Sequence, residues 1–174
     1  MQEVKSASPT PAATIMLLRD DSDGMKILIL RKATGKHFAN GALVFPGGKV
    51  AGADETFAGN ICEPRNRFSS LKIAAIREMY EECGIVLARE KNSKDLIDTV
   101  TMANYQNAHD NSAFLDLAIT IPLSLKTDLL VRFARWITPK NRPVRYDTHF
   151  FVAAAPSGQV EPRVDGYEIV EARW

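Results

Sequence analysis

Apolar and polar positions change rhythm several times along this chain, and each change marks an element. Ala13 to Arg19 and Met25 to Arg31 are apolar runs separated by Asp20-Asp21-Ser22-Asp23-Gly24. Two such runs around a polar turn containing glycine predict a β-hairpin. Ala42 to Phe45 forms a third short strand, broken by Pro46-Gly47-Gly48. Residues 49 to 68 show no clear period and read as a long loop. The step then changes: Ile73, Ile76, Tyr80 and Cys83 recur at intervals of 3, 4 and 3, the stripe of an amphipathic helix. Ser69 or Ser70 can cap that helix at its start, and Gly84 suits the position past its end.

Beyond the helix, Ile85 to Ala88 is a candidate strand. Ser93 to about Ile119 is helical in pattern, through Leu96, Val100, Ala103 and Asn107 and then Phe114, Leu117 and Ala118. Leu129 to Ile137 fits either state. Arg145 to Ala155 reads as a buried strand, and Glu168 to Trp174 as another. Strands on both sides of the acidic helix, with no internal repeat, predict an α+β fold with a mixed sheet packed by helices. Residues 1 to 11, with Ser6, Ser8, Pro9 and Pro11, read as a flexible lead-in to one domain over 12 to 174. The chain stops at Trp174 inside a strand-like run, the pattern of a longer protein cut short.

Composition narrows this picture only a little. The 174 residues are 45% hydrophobic and 25% charged, enough for one domain with a substantial core. A formal net charge of +1 gives no global attraction to nucleic acid or to an anionic membrane. Anion binding must come from local clusters. Cys62 and Cys83 have no metal-ligand spacing and fit free thiols of a reducing compartment. His37, His109 and His149 show no zinc-ligand spacing. With no apolar run of transmembrane length and no signal-peptide core, the expectation is a cytoplasmic protein.

The densest chemistry lies in residues 77 to 84, Arg-Glu-Met-Tyr-Glu-Glu-Cys-Gly. Glu78, Glu81 and Glu82 sit at i, i+3 and i+4, which gathers three carboxylates on one helical face. Like charges so close repel unless a cation neutralises them, and oxygen ligands suit a hard cation such as Mg²⁺ or Mn²⁺. Arg77, four residues before Glu81, can hold that glutamate in one rotamer. The plain alternative is a solvated acidic face; the adjacent apolar stripe and the capping signals favour a site.

With Phe45-Pro46-Gly47-Gly48-Lys49-Val50 placed ahead of Arg77-Glu78-Met79-Tyr80-Glu81-Glu82-Cys83-Gly84-Ile85, the chain resembles the Nudix hydrolases. The second half of their signature, Arg-Glu-apolar-x-Glu-Glu-x-Gly-apolar, matches at every specified position. The first half departs. Asp54 stands where the family usually has Glu, with Glu55 one residue on, and about fifteen residues are inserted ahead of Arg77. An insertion near 55–69 resembles the branch that includes CoA and acyl-CoA diphosphatases. So do Arg135-Trp136-Ile137-Thr138-Pro139 and Arg145-Tyr146-Asp147-Thr148-His149-Phe150-Phe151.

The resemblance implies a Nudix-like α/β/α sandwich and divalent-metal-dependent hydrolysis of a diphosphate linking a nucleoside to another moiety. It implies Glu78 and Glu82 as metal ligands, and Glu81 as a third ligand or the base that orients water. Arg77 would fix a glutamate, while Gly47 and Gly48 bring backbone close to the metal. Glu168 and Glu171 are candidates for a further carboxylate. Phosphates of the substrate would meet cations from Arg31-Lys32, Arg65, Arg67, Arg142 and Arg145, with Gly47 beside them. Trp136 and Tyr146 suit core positions better than base stacking. The partner expected is a small nucleoside diphosphate derivative, with no nucleic acid and no membrane, and a homodimer fits the habit of many relatives. Nucleotide sugars, dinucleotides and oxidised nucleotides are rival substrates, and a Nudix-like binding module without catalysis is the rival from another class.

Overall fold

The computed structural model describes residues 7–35, 40–60, 67–109, 113–121, 123–159 and 161–174; Cys62, His37 and Arg65 lie outside them. The chain opens with β1 (Thr10–Asp21), β2 (Gly24–Ile27), β3 (Ile29–Lys32), β4 (Leu43–Val44) and β5 (Gly47–Lys49), followed by α1 (Gly52–Asn60) and α2 (Ser69–Cys83). Then come β6 (Ala88–Glu90), α3 (Thr99–Ala108), α4 (Phe114–Thr120), β7 (Leu123–Leu125) and a 3₁₀ turn (Thr127–Leu129). The chain ends with β8 (Val131–Ile137), β9 (Tyr146–Ala154) and β10 (Ile169–Arg173).

The main sheet runs β2-β1-β9-β8, with β5 also paired to β1. β1 lies parallel to β9 and antiparallel to β2 and β5. A smaller sheet runs β10-β3-β4, and β6 pairs with β7. α2 lies across β1 and β5, burying Ile73, Ala74, Ile76, Met79 and Cys83 against Ile15, Leu17, Leu30 and Phe151. This is an α+β sandwich with a mixed sheet, as the pattern predicts. Among the described residues no helix is long and apolar enough to cross a membrane.

The expected hairpin forms, but its second strand divides at Leu28. Leu28 is buried and its N–H still bonds to Leu17 O; past it the chain leaves β1 and enters the smaller sheet. The loop expected over 49–68 contains α1. That helix carries little apolar pattern because its inward contact is partly polar: Asp54, with no exposed surface, reaches back to accept from the Ala51 N–H at 2.8 Å. This is one half of a capping box.

Two expected caps on α2 fare differently. Gly84 ends the helix in the left-handed region at φ 72°, donating to Tyr80 O. At the start, Ser69 and Ser70 are already helical, and Phe68 occupies the cap position without a side-chain cap bond. Ile85 to Leu87 is buried but belongs to no strand; of the expected run only Ala88 enters one. The Gln159 side chain takes the place of a ladder there, bonding the N–H and C=O of Val86 at 2.7 and 2.8 Å. The single helical stretch expected from Ser93 divides into α3, started by the Asp98 cap on the Thr101 N–H, and α4. Leu129 to Ile137 resolves into the end of the 3₁₀ turn and edge strand β8. Trp136, expected in the core, stands on that edge with 70% of its surface exposed.

Candidate active site

The Gly-Gly pair of β5 and the C-terminal half of α2 meet face to face. β5 is fastened to β1 by pairing and by the Thr14 hydroxyl, which donates to Pro46 O at 2.7 Å. The Gly47 N–H then donates to Glu82 Oε2 at 2.8 Å. A Cβ on Gly48 would lie 2.5 Å from the Glu78 carboxylate. A side chain there would displace the carboxylate, which is the physical reason for glycine.

Arg77 is the hub of the acidic side. Its Nε and Nη2 donate to the two oxygens of Asp54 at 2.9 and 3.0 Å, a bidentate pair. Nη1 reaches Glu78 at 2.9 Å and Glu81 at 2.8 Å, and Nη2 also donates to Lys49 O. Asp54, rather than Glu55, therefore occupies the anchoring role across the inserted segment. The Glu55 side of the choice is exposed.

Burial governs the protonation of this group. Burial pushes the Glu82 carboxyl up to about 8, against the pull of the Gly47 N–H and with a further push from Glu78. Glu78 is also raised by burial, opposed by Arg77. Burial works against the charge on Arg77, but the hydrogen bonds to Asp54 and the charges of Glu78, Asp54 and Glu81 outweigh it and raise its pKa. Burial pushes the Cys83 thiol up to about 12, an inert core thiol. The acidic face is thus less exposed than its sequence suggests: Glu82 retains only 5% of its surface.

The remaining candidates lie on other elements. Lys32 and Glu168 form an ion pair at 2.6 Å, and both act on Glu82 electrostatically, so they border the carboxylates. Arg31 pairs with Glu171 at 2.8 Å. Arg145 donates to Thr138 O and Ala7 O, holding the approach to β9. Arg142 sits in the exposed turn before β9. Tyr146 is half-buried, with the Lys49 ammonium 6.0 Å from its ring. Arg67 lies at the start of α2, against the ring of Phe68. A cavity of about 580 Å³ beside Trp174 and Arg19 is lined by none of Asp54, Glu78, Glu81 and Glu82.

Among the described residues, no three His, Cys, Asp or Glu side chains converge as a ready ligand set. Arg77 supplies positive charge to Glu78 and Glu81 and draws both toward itself. The donors still suit a hard cation. Glu78 is half-buried and Glu82 buried, burial raises both carboxyls, and Gly48 leaves open the space that a Cβ would fill.

An α+β sandwich that sets an acidic helix under a Gly-Gly strand is the architecture of a Nudix domain. A crystal structure of a NUDIX hydrolase from Alicyclobacillus acidocaldarius superposes with a TM-score of 0.81 at 28% identity, over 97% of this chain and 79% of that one. The family model described as the NUDT19 Nudix domain matches residues 64–174, and the chain belongs to that Nudix family. It is also 28% identical, over 156 residues, to a Caenorhabditis elegans protein named for the family, nudix hydrolase 7. That match takes in 86% of this chain and 46% of the relative, so the chain spans about half the length of the curated relative. The NUDIX domain of Shewanella oneidensis NrtR, crystallised with ADP ribose, shares the fold at a TM-score of 0.53 and 11% identity, over 100% of this chain and 77% of that one.

Proposed function

We propose that this chain is a divalent-metal-dependent diphosphatase acting on a nucleoside diphosphate joined to another moiety, with CoA or an acyl-CoA as the substrate class. The observation that carries this reading is the contact between the Gly-Gly strand and Glu78 and Glu82, kept in place by the Asp54–Arg77 pair despite the insertion. Glu78, Glu82 and Glu81 would hold Mg²⁺ or Mn²⁺, joined by the Gly48 backbone. The ion, when bound, neutralises charge on the phosphate oxygens and makes a bound water more acidic.

The chain's own groups supply the rest. Arg77 holds Glu81 and Glu78 in fixed rotamers. Glu81, the most exposed of the three side chains at 42%, is held where it can orient the attacking water. That water's oxygen bonds to phosphorus as the bridging P–O bond breaks, and its proton passes to a carboxylate. Gly47 holds Glu82 through its N–H and lets the diphosphate approach the backbone. Arg31 and Arg145 contact the phosphates. Arg31 would share its charge between substrate and Glu171.

A second reading, a nucleotide-binding module without hydrolysis, draws on the way Arg77 engages two of the three glutamates. Product analysis with Mg²⁺ or Mn²⁺ against CoA, acyl-CoA, ADP-ribose, NADH and diadenosine polyphosphates separates the readings. The expected result is metal-dependent cleavage of CoA to 4′-phosphopantetheine and 3′,5′-ADP. Cleavage of another member keeps the chemistry and replaces the substrate. Binding without cleavage of any member favours the module.

A further inference from the structure

At the opposite end of α2, two arginines share one aromatic ring. The Arg67 guanidinium lies 4.8 Å from the centre of the Phe68 ring and that of Arg132 lies 5.2 Å from it. His149 packs on the same ring at 5.7 Å and accepts from Arg132 Nε–H at its Nδ1, 3.3 Å away. Its Nε2 lies 3.8 Å from Asp147. That carboxylate is already held by Arg135 in a bidentate pair at 2.7 Å. Arg135 and Arg132 both act on that one carboxylate, and neither Arg67 nor Arg132 is within ion-pair distance of an acid among the described residues. Both arginines are exposed. The Phe68 ring holds both guanidiniums but carries no net charge to offset theirs.

Two guanidiniums on one ring, neither paired with a carboxylate among the described residues, offer the forked donors that bind phosphate. The surroundings favour the same charge. α2 starts here with no acidic residue in its first turn, and the positive end of the helix adds to the two arginines. One cross-sheet row also links this place to the carboxylates. Gly48 pairs with Ala13, and Ala13 pairs with His149, which sets His149 two strand spacings, about 10 Å, from Gly48.

We propose that Arg67 and Arg132, braced by Phe68 and His149, form a binding site for a phosphate monoester, distinct from the carboxylate site on the same helix. The ligand is either a further phosphate on the substrate, outside its diphosphate, or free phosphate. Only the first source rests on the diphosphatase reading.

The test follows the side-chain Nε–H signals of Arg67 and Arg132 by NMR while inorganic phosphate is added to the metal-free chain. Both signals should shift together and saturate. In Arg132→Gln, saturation of the Arg67 signal should require about ten- to a hundredfold more phosphate. No saturating shift in the unaltered chain, or an unchanged titration in Arg132→Gln, overturns the site. A second arm adds CoA or dephospho-CoA, which differ by one phosphate monoester, to the Glu82→Gln protein. Saturation by CoA at lower concentration than by dephospho-CoA assigns the site to the substrate. Equal responses, with inorganic phosphate still saturating, assign it to free phosphate. Neither arm depends on turnover, so a chain that cleaves no diphosphate would fail the proposed function and leave this readout intact.

Discussion

The two ends of α2 face the same electrostatic problem and meet it in opposite ways. Toward the C-terminus, Glu78, Glu81 and Glu82 crowd together with Asp54 beneath them. There the chain supplies its own counter-ion, Arg77, which contacts Asp54, Glu78 and Glu81 at once. At the N-terminus, Arg67 and Arg132 crowd against Phe68, and among the described residues the acid beside them, Asp147, is committed to Arg135. Like charges with an internal counter-ion form a braced platform. Like charges without one leave room for an anion from outside.

The largest expected effect comes from removing that internal counter-ion. Arg77→Ala leaves Asp54 fully buried and unpaired, and breaking such a pair costs about 3–5 kcal/mol. Urea unfolding of the metal-free protein measures it. Arg77→Lys should recover little, because an ammonium cannot make the bidentate contact. A loss below about 1 kcal/mol would mean that the pair behaves as an exposed one and the platform is not braced.

Glu82→Gln comes next and acts on chemistry rather than folding. The amide keeps the shape and can still accept from the Gly47 N–H. Under the proposed function, turnover should fall on the order of a hundredfold or more, equal to about 2.7 kcal/mol in the barrier, while the unfolding midpoint hardly moves. Full activity at saturating Mg²⁺ would remove Glu82 from the ligand set.

The acidic end was far more legible in the sequence than the basic end, and the reason is spacing. Arg77, Glu78, Glu81 and Glu82 lie within one and a half turns of one helix, so their juxtaposition follows from helical geometry alone. The stripe of Ile73, Ile76 and Cys83 and the Gly84 terminator follow from the same period. Asp54 was half legible: its place after Gly48 marked it, but choosing it over Glu55 required the turn of α1. Arg67, Arg132 and His149 come from three separate segments, joined only by sheet register and by where α2 begins. Local pattern carries no trace of such a meeting. Trp136 and the break at Leu28 were missed for the same reason, since both depend on which strand ends at a sheet edge.

Gly48→Ala sharpens the comparison at intermediate size. The new methyl would sit 2.5 Å from the Glu78 carboxylate, so Glu78 must swing away while Arg77 holds it from the other side. A strained insertion of this kind costs about 1–3 kcal/mol, read from thermal unfolding, and turnover should drop with it. Gly52→Ala, where a Cβ meets nothing within 4 Å, is the control and should leave both unchanged.

The smallest effect belongs to Arg135, whose side chain is 47% exposed. Its hydrogen bond, ahead of the opposing effect of burial, holds the Asp147 carboxyl below its ordinary value of 3.8. A depressed carboxyl contributes stability that is complete above the unfolded value, and this contribution disappears as pH falls through the folded one. Arg135→Gln should therefore raise the midpoint of acid unfolding slightly, and solvent screening keeps the loss at neutral pH small. The consequence at the far end of α2 is the more telling one. Asp147, released from Arg135, becomes the missing counter-ion for Arg132, which already acts on it. The basic end would then resemble the acidic end, neutralised from within, and phosphate should saturate the Arg67 signal only at higher concentration. An unchanged titration would mean that Asp147 stays out of reach of Arg132, and that the contrast between the two ends is fixed by backbone placement rather than by charge balance.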